Sequence, residues 1–499
     1  MRHLVCVPAM VKHRDARCCQ GVLWARRGPR RRGQPRETPC SSVAPPDLPG
    51  RSAIPARPGF PSGPLPLTSL PILHRPRHLQ ARPVTACDFR YSPPKTELPP
   101  ELGWVFLRAF GPLGEPVDER VDPGPALELA RKFEVSTRIA ARQGSSRLVA
   151  ELGKNGAREL VLGLLKAVAR ERALGRTVEH IAALAAEHDV EVVFLKFAAL
   201  WLRGDLLEGS RGATDIDVLV SKARMQEFQE VLRANGFEDL GFPGGEHQLP
   251  ILKSPDGGGV EVHHCVKGLQ GRKPGTFATI EDLLDSGQVV PAQSLTTPLA
   301  ATLGSGTYVP TRDCLLAHAV VHAFVQHGAA PHAYPLSRMF ADLIDLGLSD
   351  TQPGELGRVL PWLGEAMSAT EIDAVDSLSR AFARGDSLSK LANESSAGML
   401  LCHLAASTLD VQYRKALRLR SAFRPLTAKG PTQQIRARLW NAFVPTRAQL
   451  AVIYGPPRSE AHLLARRLYR PVDLALRLGR YSLSYASLKL RRKHRSSRR

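Results

Sequence analysis

Two hydrophobic rhythms alternate along the chain. "ARELVLGLLKAVARERAL" (157–174) and "TVEHIAALAAEHDV" (177–190) repeat apolar residues at helical spacing, with Thr177 placed to cap the second helix. "VEVVFLK" (190–196) is a β-branched run and predicts a strand, after which "FAALWLRGDLL" returns to helix. The turn-rich "EGSRGAT" leads into a second strand, "DIDVLV". Ser221 is then placed to cap the helix "KARMQEFQEVLRANG", which Gly236 ends. "HQLPILK" and "GVEVHHCV", separated by the turn "SPDGGG", predict two more strands. Beyond about residue 300 the spacing is helical again, in "RDCLLAHAVVHAFVQHG" (312–328), "LSRMFADLIDLG" (336–347) and further segments to about 490. The expected fold is α/β, a small mixed-sheet domain over 125–295 followed by a mainly helical domain over 296–490.

Composition changes the picture at the ends. The chain has 499 residues, 43% of them hydrophobic, and a formal charge of +21. Residues 1–124 are rich in Pro and Arg, as in "ARRGPRRRGQPRETPCSSVAPPDLPGRS", and bury too little apolar surface to offset the entropy of ordering, so a disordered segment is expected. A basic tail is expected over 491–499, "RRKHRSSRR". Basic tails of this kind allow nucleic-acid contact without favouring it, because the middle of the chain is nearer to neutral. Cys6, Cys18, Cys19, Cys40 and Cys87 crowd the first segment, while Cys265, Cys314 and Cys402 are scattered. That usage suits a reducing compartment, with the cytoplasm as the default. No apolar run reaches the roughly 18 residues of a spanning helix, so no membrane partner is expected.

The candidate chemistry lies in "RGATDIDVLV" (211–220). Period-two alternation puts Asp215, Asp217 and Leu219 on one face of the strand and Ile216, Val218 and Val220 on the other. Two carboxylates that close repel unless a cation lies between them. In "GVEVHHCV" the same alternation pairs Glu261 with His263, so Glu261 faces the aspartates if the two strands pair. Three such acids can hold two divalent cations, and their hard oxygens favour Mg2+ over zinc. Lys196 ends a strand where a helix opens, and Arg211 lies four residues before Asp215; both are placed to meet phosphate oxygens. His318 and His322 share a helix face, but the "AVV" between them lacks the glutamate of a zinc protease. "SPDGGG" lacks the lysine and helix of a P-loop.

Taken in order, "FLKFAALWL", "SRGATDIDVLVSKARMQEFQEVLRANGF", "EHQLPILK" and "VEVHH" resemble the polymerase-beta-like nucleotidyltransferase superfamily, most closely its bacterial branch of uncharacterised nucleotidyltransferases. The resemblance covers roughly 150–475. It continues through "RDCLLAHAVVHAFVQHG", with His322, and "SRMFADLIDL", with Arg338 and Asp342, to "FVPTRAQLAVIYG" and "LARRLYRPVDL". It implies a metal-dependent transfer of a nucleoside monophosphate from an NTP to an acceptor hydroxyl, with release of pyrophosphate. Asp215, Asp217 and Glu261 would be the catalytic and metal-binding acids for two Mg2+ ions, and Lys196, Arg211, Thr214 and His263 would meet the nucleotide. The acceptor stays open among small molecule, protein and RNA. One residue departs from the pattern: Phe197 stands where the family has glycine after the lysine, which points to the alternative of a degenerate nucleotide- or partner-binding module. The nearby Gly209–Ser210 pair is a partial substitute for that glycine.

Overall fold

The computed structural model describes residues 98–496, apart from 115–120, 242–243, 245–246, 274, 328–333, 349–351, 364–366, 393–395, 412, 415–416, 418–449 and 451–458. Residues 1–97, and with them most of the expected Pro/Arg-rich segment, lie outside the described residues, as does most of "FVPTRAQLAVIYG".

The first described helix, α1 (Pro100–Phe110), corrects the expected boundary at residue 124. Its sequence "PELGWVFLRAF" is apolar enough to bury Trp104, Val105, Phe106 and Phe110. Phe106 and Phe110 pack on Phe382, and Phe106 meets Phe133 edge to face, so this helix belongs to the core. Helices α2 (Pro123–Lys132), α3 (Ser136–Gln143) and α4 (Ser145–Glu187) follow. Helix α4 kinks at Gly153, where φ is 71°. It then runs unbroken through both helices expected from the sequence. Thr177 is therefore no cap: it is buried within the helix, and its hydroxyl pairs with that of Ser254 at 2.7 Å.

Strand β1 (Val192–Leu195) feeds α5 (Lys196–Arg203), and β2 (Asp215–Leu219) feeds α6 (Met225–Ala234). Ser221 accepts the Arg224 amide in the turn ahead of α6, and Gly236, at φ 87°, ends the reversal behind it. Short strands β3 (Glu238–Asp239) and β4 (Leu252–Lys253) precede β5 (Gly259–His263). The chain then forms the small hairpin β6 (Val266–Gln270) and β7 (Phe277–Ala278), helix α7 (Ile280–Asp285), β8 (Val289–Pro291), α8 (Pro298–Thr302) and β9 (Thr307–Pro310).

Seven strands make one mixed sheet in the order β3-β4-β5-β2-β1-β9-β8. Strand β9 pairs parallel with β1, so the sheet runs past the expected boundary at 295. Helices α9 (Arg312–Val321) and α10 (Leu336–Asp345) follow the sheet directly. They are succeeded by α11 (Leu360–Leu363), α12 (Ala369–Arg384), α13 (Leu388–Leu391), α14 (Ser396–Leu409) and α15 (Glu460–Ser496). Helix α15 takes in residues 491–496 of the expected basic tail. The mixed α/β architecture with a large helical part agrees with the sequence reading.

Candidate active site

Strand register assembles the acidic site. Strands β2 and β5 run parallel with Asp217 opposite Glu261 and Leu219 opposite His263. Ile216, Val218, Val260 and Val262, on the alternate positions, are fully buried. Strand β1 runs antiparallel to β2 with Leu195 opposite Asp217, which sets Lys196 one residue beyond the carboxylate. Lys196 has φ 49°, a conformation an L residue seldom takes, and it turns the chain from β1 into α5.

Asp217 is the centre of the site and is almost fully buried. Its Oδ1 accepts from Lys196 Nζ at 2.6 Å and lies 3.0 Å from His263 Nε2, and the same imidazole nitrogen is 3.5 Å from Glu261 Oε2. Burial opposes a charge on Asp217. The Lys196 ammonium and His263 overcome that penalty and hold the carboxyl well below its ordinary range. Burial likewise works against charge on Lys196 and His263, but the surrounding carboxylates raise both. Asp215 lies on the same strand, and its Oδ1 accepts from Thr214 Oγ1 at 3.0 Å.

Ligand atoms of Asp217, Glu261 and His263 all lie within 4.8 Å of one another. Two carboxylates and an imidazole are a competent donor set for a divalent cation, and the ammonium seated on Asp217 shows that the position favours positive charge. The residues therefore fit a metal ion. Asp215 is not among these three donors, whereas His263, read from sequence as a nucleotide contact, is.

Arg211 is largely buried, its side chain 11% exposed, and forms a bidentate pair with Asp342 of α10, Nε to Oδ1 at 2.7 Å and Nη2 to Oδ2 at 2.9 Å. The two members of that pair are 131 residues apart in sequence. Arg338, one turn earlier on α10, pairs instead with Glu134. The amides of Gly209 and Gly212 donate to the buried carboxylate of Glu171 on α4, at 2.5 and 3.1 Å. The Gly209–Ser210 turn is thus organised around a carboxylate of this chain. Sequence reasoning missed Glu171, and its signal was a single acid on the buried side of an amphipathic helix.

Lys196, Leu200, Arg211, His318, His322 and Tyr334 line a cleft beside Asp217. Its volume of about 20 Å3 admits a water molecule. Phe197 does not enter the cleft: its ring is buried and stacks on Trp201, which in turn packs against Gly175 of α4. After His318, the helix widens into a π turn over His322–Gln326, bringing His322 Nε2 to 3.1 Å from His327 Nε2.

Burial, and then Lys196, push His318 down to about 3, and His322 is also lowered well below its ordinary value of 6.5. A histidine neutral in the folded state binds its proton on unfolding, so its contribution to stability is lost as pH falls from about 6.5 toward 3. His263, raised in the fold, has the opposite sign: its contribution is present at low pH and lost as pH rises through its folded value. Comparing the wild type with His318→Gln isolates one imidazole. Between pH 6.5 and 5 the wild type should lose stability faster by on the order of 1 kcal/mol per pH unit in urea unfolding; equal slopes would mean that His318 titrates normally.

A mixed sheet carrying acids on paired central strands, with a lysine at the neighbouring strand end, is a nucleotidyltransferase-like arrangement. The model of a family described as uncharacterised nucleotidyltransferase matches residues 119–346. No curated protein and no solved structure matches the chain. The match ends just past α10, so Asp342 lies inside the family segment together with its partner Arg211.

Proposed function

We propose that this chain transfers a nucleoside monophosphate from a nucleoside triphosphate to an acceptor hydroxyl. The observation that carries the reading is the β2–β5 register, which sets Asp217 beside Glu261 with Lys196 against them. The acceptor oxygen forms a bond to the α-phosphorus as the bond from that phosphorus to the bridging oxygen breaks, and pyrophosphate leaves with the electron pair. Glu261, the more exposed acid, takes the hydroxyl proton. Asp217, Glu261 and His263 would hold a divalent cation, with Asp215 adjoining, and Mg2+ there would neutralise charge on the triphosphate. Lys196 meets the phosphates once it leaves Asp217. Arg211 adds positive potential from its pair with Asp342 and contributes no direct fork. Phe197 packs into the core beside Trp201 and its ring stays clear of the cleft, which supports this reading over a degenerate module.

The test is thermal unfolding of the full chain with each of the four nucleoside triphosphates, with and without Mg2+, alongside Asp217→Asn. A nucleotide at about a hundred times its dissociation constant stabilises by roughly 2.7 kcal/mol. A Mg2+-dependent shift lost in the variant, with pyrophosphate released once an acceptor is supplied, is the expected result. The absence of a shift with all four nucleotides would refute the assignment.

A further inference from the structure

Helix α15 carries a feature the nucleotidyl site does not use. Leu464, Leu468, Val472 and Leu476 recur every four residues, and Leu483 follows seven later. At 100° per residue these five fall within an arc of about 120° on one side of the helix. Each is more than half exposed, from 52% at Leu476 to 74% at Leu483. Another side of the helix is buried: Leu463 and Leu474 are enclosed there, and Arg470 pairs with Asp473. Ala461, Ala465, Ala475 and Gly479 extend the apolar character of the open side without adding charge.

The charge of the helix indicates what covers this stripe. Glu460–Ser496 contains ten lysines and arginines against two acids. We infer that α15 is an interfacial helix whose leucine stripe docks on an anionic lipid bilayer, lying in the surface with its basic residues among the headgroups. No described helix is long and apolar enough to cross a membrane, and α15 would lie on one rather than span it. The charge disfavours the other occupants. A second copy would bring like charge against like, with only two acids on each helix to set against ten cations. A nucleic acid would satisfy the charge and leave the leucines in water. An anionic bilayer meets both needs, because each leucine gains from burial and each cation near the surface adds attraction.

The experiment is co-sedimentation of the full chain with vesicles of phosphatidylcholine alone, and of about three parts phosphatidylcholine to one part phosphatidylglycerol. Leu468→Glu/Leu476→Glu is run beside the wild type. The expected result is sedimentation with the anionic vesicles only, weakened by salt and reduced about tenfold or more in the variant, with its thermal unfolding unchanged. Failure to bind anionic vesicles overturns the inference. So does equal binding by the variant, which would assign the attraction to charge elsewhere in the chain. A large loss of stability in the variant also overturns it, since the stripe would then be covered by the chain itself. Self-association of the wild type, abolished in the variant and unaffected by vesicles, would give the face to a second copy instead.

Discussion

Asp342→Ala should lower the free energy of unfolding by about 3–5 kcal/mol, the cost of leaving a buried guanidinium without its partner. The magnitude follows from the seclusion of the pair. The side chains of Arg211 and Asp342 are 11% and 5% exposed, and both carboxylate oxygens are engaged by the arginine fork. Burial alone would depress the arginine, yet Asp342 raises its proton affinity above the ordinary value, so the charge persists in the folded state. The Tyr334 hydroxyl, 3.5 Å from Asp342 Oδ2, is raised by the same burial and by the same carboxylate. Replacing both partners by apolar residues, as Arg211→Met/Asp342→Leu, should cost much less than the single change, since nothing charged is then left buried. Urea unfolding of the three proteins decides it. A single-variant loss under about 1 kcal/mol would mean that water reaches Arg211 and that the cleft at α10 is open.

The second large effect concerns the divalent cation proposed for Asp217. Lys196 Nζ and a divalent cation would compete for one oxygen, and charges of one and two about 4 Å apart repel by roughly 8 kcal/mol at an effective dielectric near 20. The ammonium therefore has to leave before the metal enters, and Lys196→Met removes that competitor. Mn2+ titration without nucleotide should show the variant binding at least about tenfold more tightly, a gain of about 1.4 kcal/mol. Triphosphate binding should weaken in the same variant, because the released ammonium is the group expected to meet the phosphates. Asp217→Asn should abolish metal binding and lower transfer by about a thousandfold or more. Unchanged Mn2+ affinity in Lys196→Met would place the metal away from Asp217 Oδ1.

Much of the site was legible because a strand has only two faces. Alternation alone put Asp215 and Asp217 together, paired Glu261 with His263, and left Ile216, Val218, Val260 and Val262 for the core. The order of motifs likewise identified the family that residues 119–346 match. Periodicity could not say which strands become neighbours. The register that sets Asp217 against Glu261 on one side and Leu195 on the other comes from pairing between segments far apart in the chain. Nor did local pattern reveal that β9, which follows α8 after four intervening residues and lies beyond the expected boundary, extends the sheet beside β1. Helix α1 was hidden by its proline-rich context, and its aromatics are explained only by the Phe133 and Phe382 rings they meet.

Charges show the same division. The sequence named Lys196 and Arg211 as the cations of the site, since strand ends and turns are where such groups meet phosphate. Tertiary packing gave each a carboxylate partner: Asp217 across one strand pair for Lys196, and Asp342 from a helix 131 residues away for Arg211. It also filled the Gly209–Gly212 turn with Glu171 and turned Phe197 into the core beside Trp201. The chain itself determined which residue types could do the chemistry and which face of a strand would carry them, because those depend on the short period of the backbone. Which charges neutralise one another was decided by tertiary structure alone, because a buried ion selects its partner by distance in space.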